Sequence, residues 1–168
     1  MNWLRYRIFL AILVGAAPWA YAQNTHTGTY TGKVVSIADG DTVTVLDGAH
    51  TQHKVRLAGI DAPERKQPFG QVARQHLASA VFGKTVTIEW NKIDRYRREI
   101  GIIRLNGADI NLTLVDAGLA WHYKFYEREQ SPEDRHSYST AEQRARAARR
   151  GLWSDNNPSP PWEFRRRK

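Results

Sequence analysis

A chain of 168 residues is long enough for one domain and hardly for two. Lys and Arg outnumber Asp and Glu by 25 to 17, and the formal charge of +8 favours encounters with polyanions without being an activity in itself. The absence of cysteine excludes disulfides, thiolate metal sites and cysteine-based catalysis.

The chain opens with Arg5 and Arg7, then the apolar run Ile8 to Ala17, then the small-x-small tripeptide Ala20-Tyr21-Ala22. That order has the form of a secretory signal peptide, and the apolar run is short for a bilayer span. The expected organisation is a signal peptide over 1–22, a leader over 23–28, a domain over 29–153 and a Pro-rich basic tail over 154–168. Such a chain is secreted or periplasmic, with no stable membrane insertion after cleavage; an uncleaved anchor is the alternative. Removal of residues 1–22 leaves 146 residues and takes away two arginines and no acid, so the charge falls to +6. An exported domain of this size without disulfides stands on its core.

Tyr30 to Ile37 reads as a first strand, with Val34 and Val35 inside it. Asp39-Gly40 marks a turn, Thr42 to Leu46 a second strand, Asp47-Gly48 another turn, and Lys54 to Ile60 a third strand. Val72, Ala73, Leu77, Ala80 and Val81 recur at helical spacing within Pro68 to Gly83, and Gly83 suits the position after a helix. Thr85 to Trp90 is a fourth strand and Ile100 to Leu105 a fifth, ended by Asn106-Gly107. A short helix over Asn111 to Ala117 is closed by Gly118. Leu119 to Tyr126 is aromatic-rich and fits either helix or strand. Thr140-Ala141-Glu142-Gln143 has the form of a capping box, opening a helix that runs to Arg150. The tail, with Pro158, Pro160 and Pro161 ahead of Arg165-Arg166-Arg167-Lys168, is expected to be extended and mobile. Five short strands with three α-helices suggest a five-stranded OB-fold β-barrel, an α+β fold.

The chemistry concentrates on Arg56 to Glu64. Val55 and Leu57 alternate with Lys54 and Arg56 as in a half-buried strand, and Gly59 and Pro63 then break it. Arg56 and Asp61 lie an odd number of residues apart and point to opposite faces of a regular strand, so a bend near Gly59 is needed for them to converge. Asp39-Gly40-Asp41-Thr42 alone is an ordinary hairpin turn. With strands two and three as neighbours, Asp41 meets Asp61. Two carboxylates, a backbone carbonyl and waters suit a hard divalent cation, with calcium the natural choice. Glu64 beside that cation polarises a water, or is a plain surface glutamate; Arg56 grips a phosphoryl oxygen. Asp94-Arg95-Tyr96-Arg97-Arg98-Glu99 is either a solvated hairpin tip or a phosphate clamp with a stacking tyrosine.

Asp-Gly-Asp-Thr, then Arg-x-x-x-x-Asp-x-Pro-Glu, then Asp-Arg-Tyr-x-Arg, in that order, resemble the thermonuclease family, the staphylococcal-nuclease-like domain, over about Thr29 to Trp153. Gly-Leu-Ala at 118–120 and Gly-Leu-Trp at 151–153 resemble its later landmarks. The resemblance implies a monomeric endonuclease with one calcium ion, cleaving DNA and RNA to 5′-hydroxyl and 3′-phosphate ends. It implies Asp41, Asp61 and the Ala62 carbonyl as metal ligands, Glu64 as general base and Arg56 and Arg98 as phosphate clamps. Arg95, Tyr96 and Tyr126 would contact substrate, while Lys124 stands where the best-known member has a second tyrosine. Arg97 stands where the family has glycine, so the second clamp is Arg98, or Arg97 if the register slips by one. Two other classes are a non-catalytic nucleic-acid-binding OB module and a secreted basic structural or adhesion protein. Neither accounts for Asp41, Asp61 and Glu64 together.

Overall fold

A computed structural model describes residues 27–167, so the signal-peptide segment lies outside the described residues. Strands β1 (Gly28–Ile37), β2 (Thr42–Asp47) and β3 (Gln52–Leu57) form an antiparallel meander. After a short strand β4 (Ile60–Asp61) and helix α1 (Gly70–Val81), β5 (Thr85–Ile93) returns beside β1 and β6 (Glu99–Leu105) follows antiparallel to it. Parallel pairing of Val55 with Glu99 and Leu57 with Gly101 joins β3 to β6 and closes a five-stranded barrel. Strand β7 (Ala108–Asp109) extends β6. Closure leaves little exposed sheet edge, which suits a barrel of short strands.

Inward-facing Val34, Val43, Val45, Val55, Val86, Ile88 and Ile103 are essentially inaccessible and fill the barrel. A bulge between Val34 and Ser36 shifts the in–out alternation of β1 by one, so Ile37 turns inward where Ser36 would have been. Helix α1 covers one end with Ala73, Leu77 and Val81, buried at four-residue spacing, and Gly83 follows it at φ 75° as expected of the position after a helix. Helix α2 (Ile110–Asp116) is capped by the Asp109 carboxylate, which accepts from Leu112 N at 3.0 Å.

Helix α3 (Pro132–Ala147) departs from the expected start at Thr140, which lies mid-helix. Ser131 Oγ accepts from Asp134 N at 3.0 Å, Pro132 takes the first turn, and Glu133 and Asp134 complement the positive end of the helix. Glu142 is buried rather than capping. It accepts from His122 N at 3.1 Å and from Lys124 Nζ at 2.5 Å. The ambiguous aromatic stretch splits into strand β8 (Trp121–His122), paired with β4, and a 3₁₀ helix over Lys124–Glu129. The tail is not extended throughout: a short helix α4 (Pro161–Arg166) forms in it, with Pro161 buried.

Two polar devices tie the barrel together. Tyr30 OH donates to Glu99 Oε2 at 2.6 Å, while His53 bridges Glu99 at 2.7 Å and Asp47 at 3.0 Å. Asn111 is fully buried on α2. Its amide donates to Ala58 O and Gly101 O at 3.1 Å each, and its oxygen accepts from Ile103 N at 3.2 Å. The bend after β3 is thus held from beneath by one side chain.

Removing it leaves buried backbone groups unpaired, so Asn111→Ala is expected to lower unfolding free energy by about 2–3 kcal/mol, measured by urea denaturation. The histidine network is pH-dependent. Burial lowers the His53 pKa, but its hydrogen bonds to Asp47 and Glu99 outweigh burial and hold it above the usual value. Its contribution is therefore full below the unfolded value of about 6.5 and is lost as pH rises through the folded pKa. Urea midpoints should fall across that window in the parent protein and flatten in His53→Gln.

Candidate active site

Strand β3 delivers Arg56 to the barrel end, where Leu57 N donates to Asp41 O at 2.8 Å and Ala58 N to Gly101 O at 2.8 Å. Gly59 then turns the chain at φ 73°, a conformation that favours glycine; a β-carbon there would meet the Gln130 side chain at 2.4 Å. The reversal brings Arg56 and Asp61 to one side, as the odd spacing required. Pairing of Thr42 with Arg56 brings in Asp41 from β2.

Arg56 bridges the two acids. Its Nη1 lies 2.7 Å from Asp41 Oδ2 and its Nη2 2.8 Å from Asp61 Oδ1, while Ile60 O accepts from Nη1 at 3.2 Å. Ala62 N donates to Asp41 Oδ2 at 2.7 Å, and Thr42 Oγ1 to Asp41 Oδ1 at 3.2 Å. The Asp61 side chain has no exposure and that of Asp41 only 8%. Burial pushes the Asp41 carboxyl up; Arg56 opposes this, and the charges of Asp39 and Asp61 add to it. Two buried carboxylates beside backbone carbonyls make a set of oxygen donors, which fits a hard cation. Among the described residues no three His, Cys, Asp or Glu side chains form a metal cluster, so a cation here draws on backbone oxygens and water as well.

Glu64 stands on the bend beyond Pro63, with its N–H donating to Gln67 Oε1 at 3.1 Å. Its carboxylate is held by Arg165 of α4, a residue without a signal in the sequence. Arg165 Nη1 donates to Glu64 Oε1 at 2.9 Å and its Nη2 to Asp61 Oδ2 at 2.7 Å. The surrounding ring cluster was also missed. Tyr123 lies 5.5 Å from both Trp162 and Tyr126. Burial and the Asp61 charge both raise the Tyr123 pKa. Two tryptophans around three prolines were the available sign that the tail docks.

The second basic cluster does not join the acids. Arg98 folds back on its own turn, Nε 2.8 Å from Asp94 Oδ2, and lies 5.4 Å over the Tyr96 ring. Arg95 lies over the same ring at 4.8 Å, and Tyr96 is exposed. Arg97 sits at φ 61°, the left-handed conformation that explains a glycine at this place. The chain thus keeps the backbone shape without the glycine, and Arg98 is the side chain held in place. Tyr126 carries Lys92 Nζ 4.5 Å over its ring, and Lys124 is drawn to Glu142 instead.

Residues 54–155 match the staphylococcal nuclease homologue family. The chain belongs to that family. It is 40% identical to a protein named ParB of Escherichia coli over 97% of this chain and 90% of the relative. It is 38% identical to a micrococcal nuclease of Shigella flexneri, covering 94% of this chain and 88% of the relative. An uncharacterized endonuclease of Haemophilus influenzae is 41% identical over 82% of this chain and 74% of its own length.

The backbone at 97 and the side chain at 98 separate in a mutational test. Arg97→Gly relieves the left-handed conformation and is expected to be stabilising by up to about 1 kcal/mol in urea denaturation, with cleavage kept. Arg98→Ala is expected to lower single-turnover cleavage more than nucleic-acid binding.

Proposed function

We propose that this nuclease is calcium-dependent and hydrolyses phosphodiester bonds of DNA and RNA through the cluster at the barrel end. Membership of the staphylococcal nuclease family makes the chain a nuclease, a hydrolase of nucleic acids. The observation that carries the finer reading is the buried pair of Asp41, just before β2, and Asp61, on β4, bridged by Arg56.

One calcium ion held by Asp41, Asp61 and the Ala62 carbonyl would supply charge to polarise the scissile phosphate. The other steps belong to side chains. Arg56 is placed to share its guanidinium with a non-bridging phosphate oxygen, which suits its planar fork. Glu64 takes a proton from water as that water's oxygen bonds to phosphorus and the bond to the 5′ oxygen breaks. The departing 5′ oxygen takes a proton from solvent, so a 5′-hydroxyl and a 3′-phosphate result. Arg98, on a turn beside the parallel β3–β6 pairing, neutralises charge in the transition state. Arg95, Tyr96 and Tyr126 contact the substrate through charge and exposed rings, a mode tolerant of base identity.

We further infer a monomer working in the periplasm or the medium. The order of Arg5, Arg7, the apolar run and Ala20-Tyr21-Ala22 supports export. No helix among the described residues is long and apolar enough to cross a membrane.

Cleavage of single- and double-stranded DNA and RNA is expected to stop in excess chelator and return with calcium. Glu64→Gln is expected to lower the single-turnover rate by on the order of a hundredfold or more while binding survives. Full activity in chelator overturns the calcium reading, and a parent rate in Glu64→Gln overturns the base assignment.

A further inference from the structure

The C-terminal segment reaches the centre of the site. Pro161 is buried, and the Trp162 ring packs 5.4 Å from Trp121 and 5.5 Å from Tyr123. Gln67 donates its amide to Ser159 O while its oxygen accepts from Glu64 N, so one side chain braces both the strap and the bend. Three residues beyond Trp162, Arg165 places Nη2 on Asp61 Oδ2 at 2.7 Å and Nη1 on Asp61 Oδ1 at 3.2 Å. The same Nη1 reaches Glu64 Oε1 at 2.9 Å.

Those contacts account for both carboxylate oxygens of Asp61, with Oδ1 shared by Arg56. The Asp61 side chain has no exposure, whereas that of Arg165 is 41% exposed. Arg165 is thus the outermost group over Asp61. A divalent cation and the guanidinium compete for the same oxygen, because each satisfies the same buried charge. We propose that Arg165 is an internal competitor for the divalent cation: the C-terminal strap sets the calcium affinity of the site and releases Glu64 only when a cation displaces it. This inference rests on the calcium reading above.

The strap is built for displacement. Helix α4 has only six residues, and the Gln67 amide holds the segment that leads into it at Ser159. The guanidinium brings one charge to Asp61 and a calcium ion brings two. A site available only when the strap is lifted has its apparent affinity reduced by the fraction of time it is open.

Calcium binding by the full chain, measured by isothermal titration without nucleic acid, tests this directly. Arg165→Met keeps much of the stem and removes the charge; it is expected to bind calcium on the order of tenfold more tightly than the parent. Arg167→Met removes the same charge from a residue that pairs with Glu163, away from Asp61, and is expected to change affinity less than twofold. Trp162→Ala undocks the strap without touching a carboxylate and should tighten binding in the same direction as Arg165→Met. It also serves as the second variant should Arg165→Met fail to fold by circular dichroism. Equal or weaker calcium affinity in both strap variants overturns the inference alone. Equal tightening by Arg167→Met also overturns it, since general charge then suffices. No calcium binding in any of the proteins overturns the calcium reading and this inference with it.

Discussion

The site depends on one costly arrangement, two carboxylates buried at a barrel end and bridged by the Arg56 guanidinium. Removing an ion from water costs several kcal/mol, and pairing recovers it only when geometry is tight. The fold supplies that geometry through backbone. Leu57 N fixes the Asp41 carbonyl, Ala62 N reaches the Asp41 carboxylate, and Gly59 reverses the chain so that Asp61 meets Arg56. Each acid is held by at least one donor besides Arg56. The cost is only partly offset: burial displaces the Asp41 pKa upward despite Arg56. A stability-optimised barrel end would hold apolar side chains here, and the cost of the arrangement is what supports the chemical role proposed for it.

The elements around it transmit rigidity to it. Asn111 connects the bend to β6 and α2, and α2 is itself tied to α3 by Tyr138 OH on Asp109 at 2.9 Å. The short β4–β8 ladder fixes Asp61 against Trp121, whose ring packs on Trp153 and Trp162. Aromatic packing thus runs from Trp153 and Trp162 through Trp121 to the backbone of a buried acid. By contrast, the turn holding Arg95, Tyr96 and Arg98 pairs internally: Arg95 and Tyr96 are exposed, whereas Arg98 and Asp94 are partly buried against each other, their side chains 22% and 17% exposed.

Much of this was legible in the sequence because local rules and tertiary contacts agree. The alternating strands and the odd Arg56–Asp61 spacing match the barrel, except that the third strand, expected to run to Ile60, stops at Leu57 because Gly59 turns the chain and Ile60 joins β4 beside β8. The start of α3 was misplaced because Thr140 and Gln143 imitate a cap, while Ser131 with Pro132 does the capping. Burial of Glu142 decides between them: its carboxylate serves the backbone of His122, a tertiary demand that no local pattern encodes. The left-handed backbone at Arg97 gives a physical reason for the glycine expected at that place, a matter of φ that no pattern of charges encodes.

Arg165 was illegible for a different reason. A run of basic residues after prolines satisfies every rule for a solvated tail, and its neighbours Arg166 and Arg167 are indeed exposed. Only one of the three finds buried acids, because α4 begins at Pro161 and the helix turns residue 165 inward while Trp162 seats against Trp121. The position is set by rings and not by charge. A uniformly basic tail drawn in by electrostatics alone would sample many pairings, since attraction at this range is weakly directional. Fixing one guanidinium on Asp61 requires the apolar anchor three residues earlier. The sequence feature that matters is therefore the spacing of tryptophan and arginine, and the basic run around it is background.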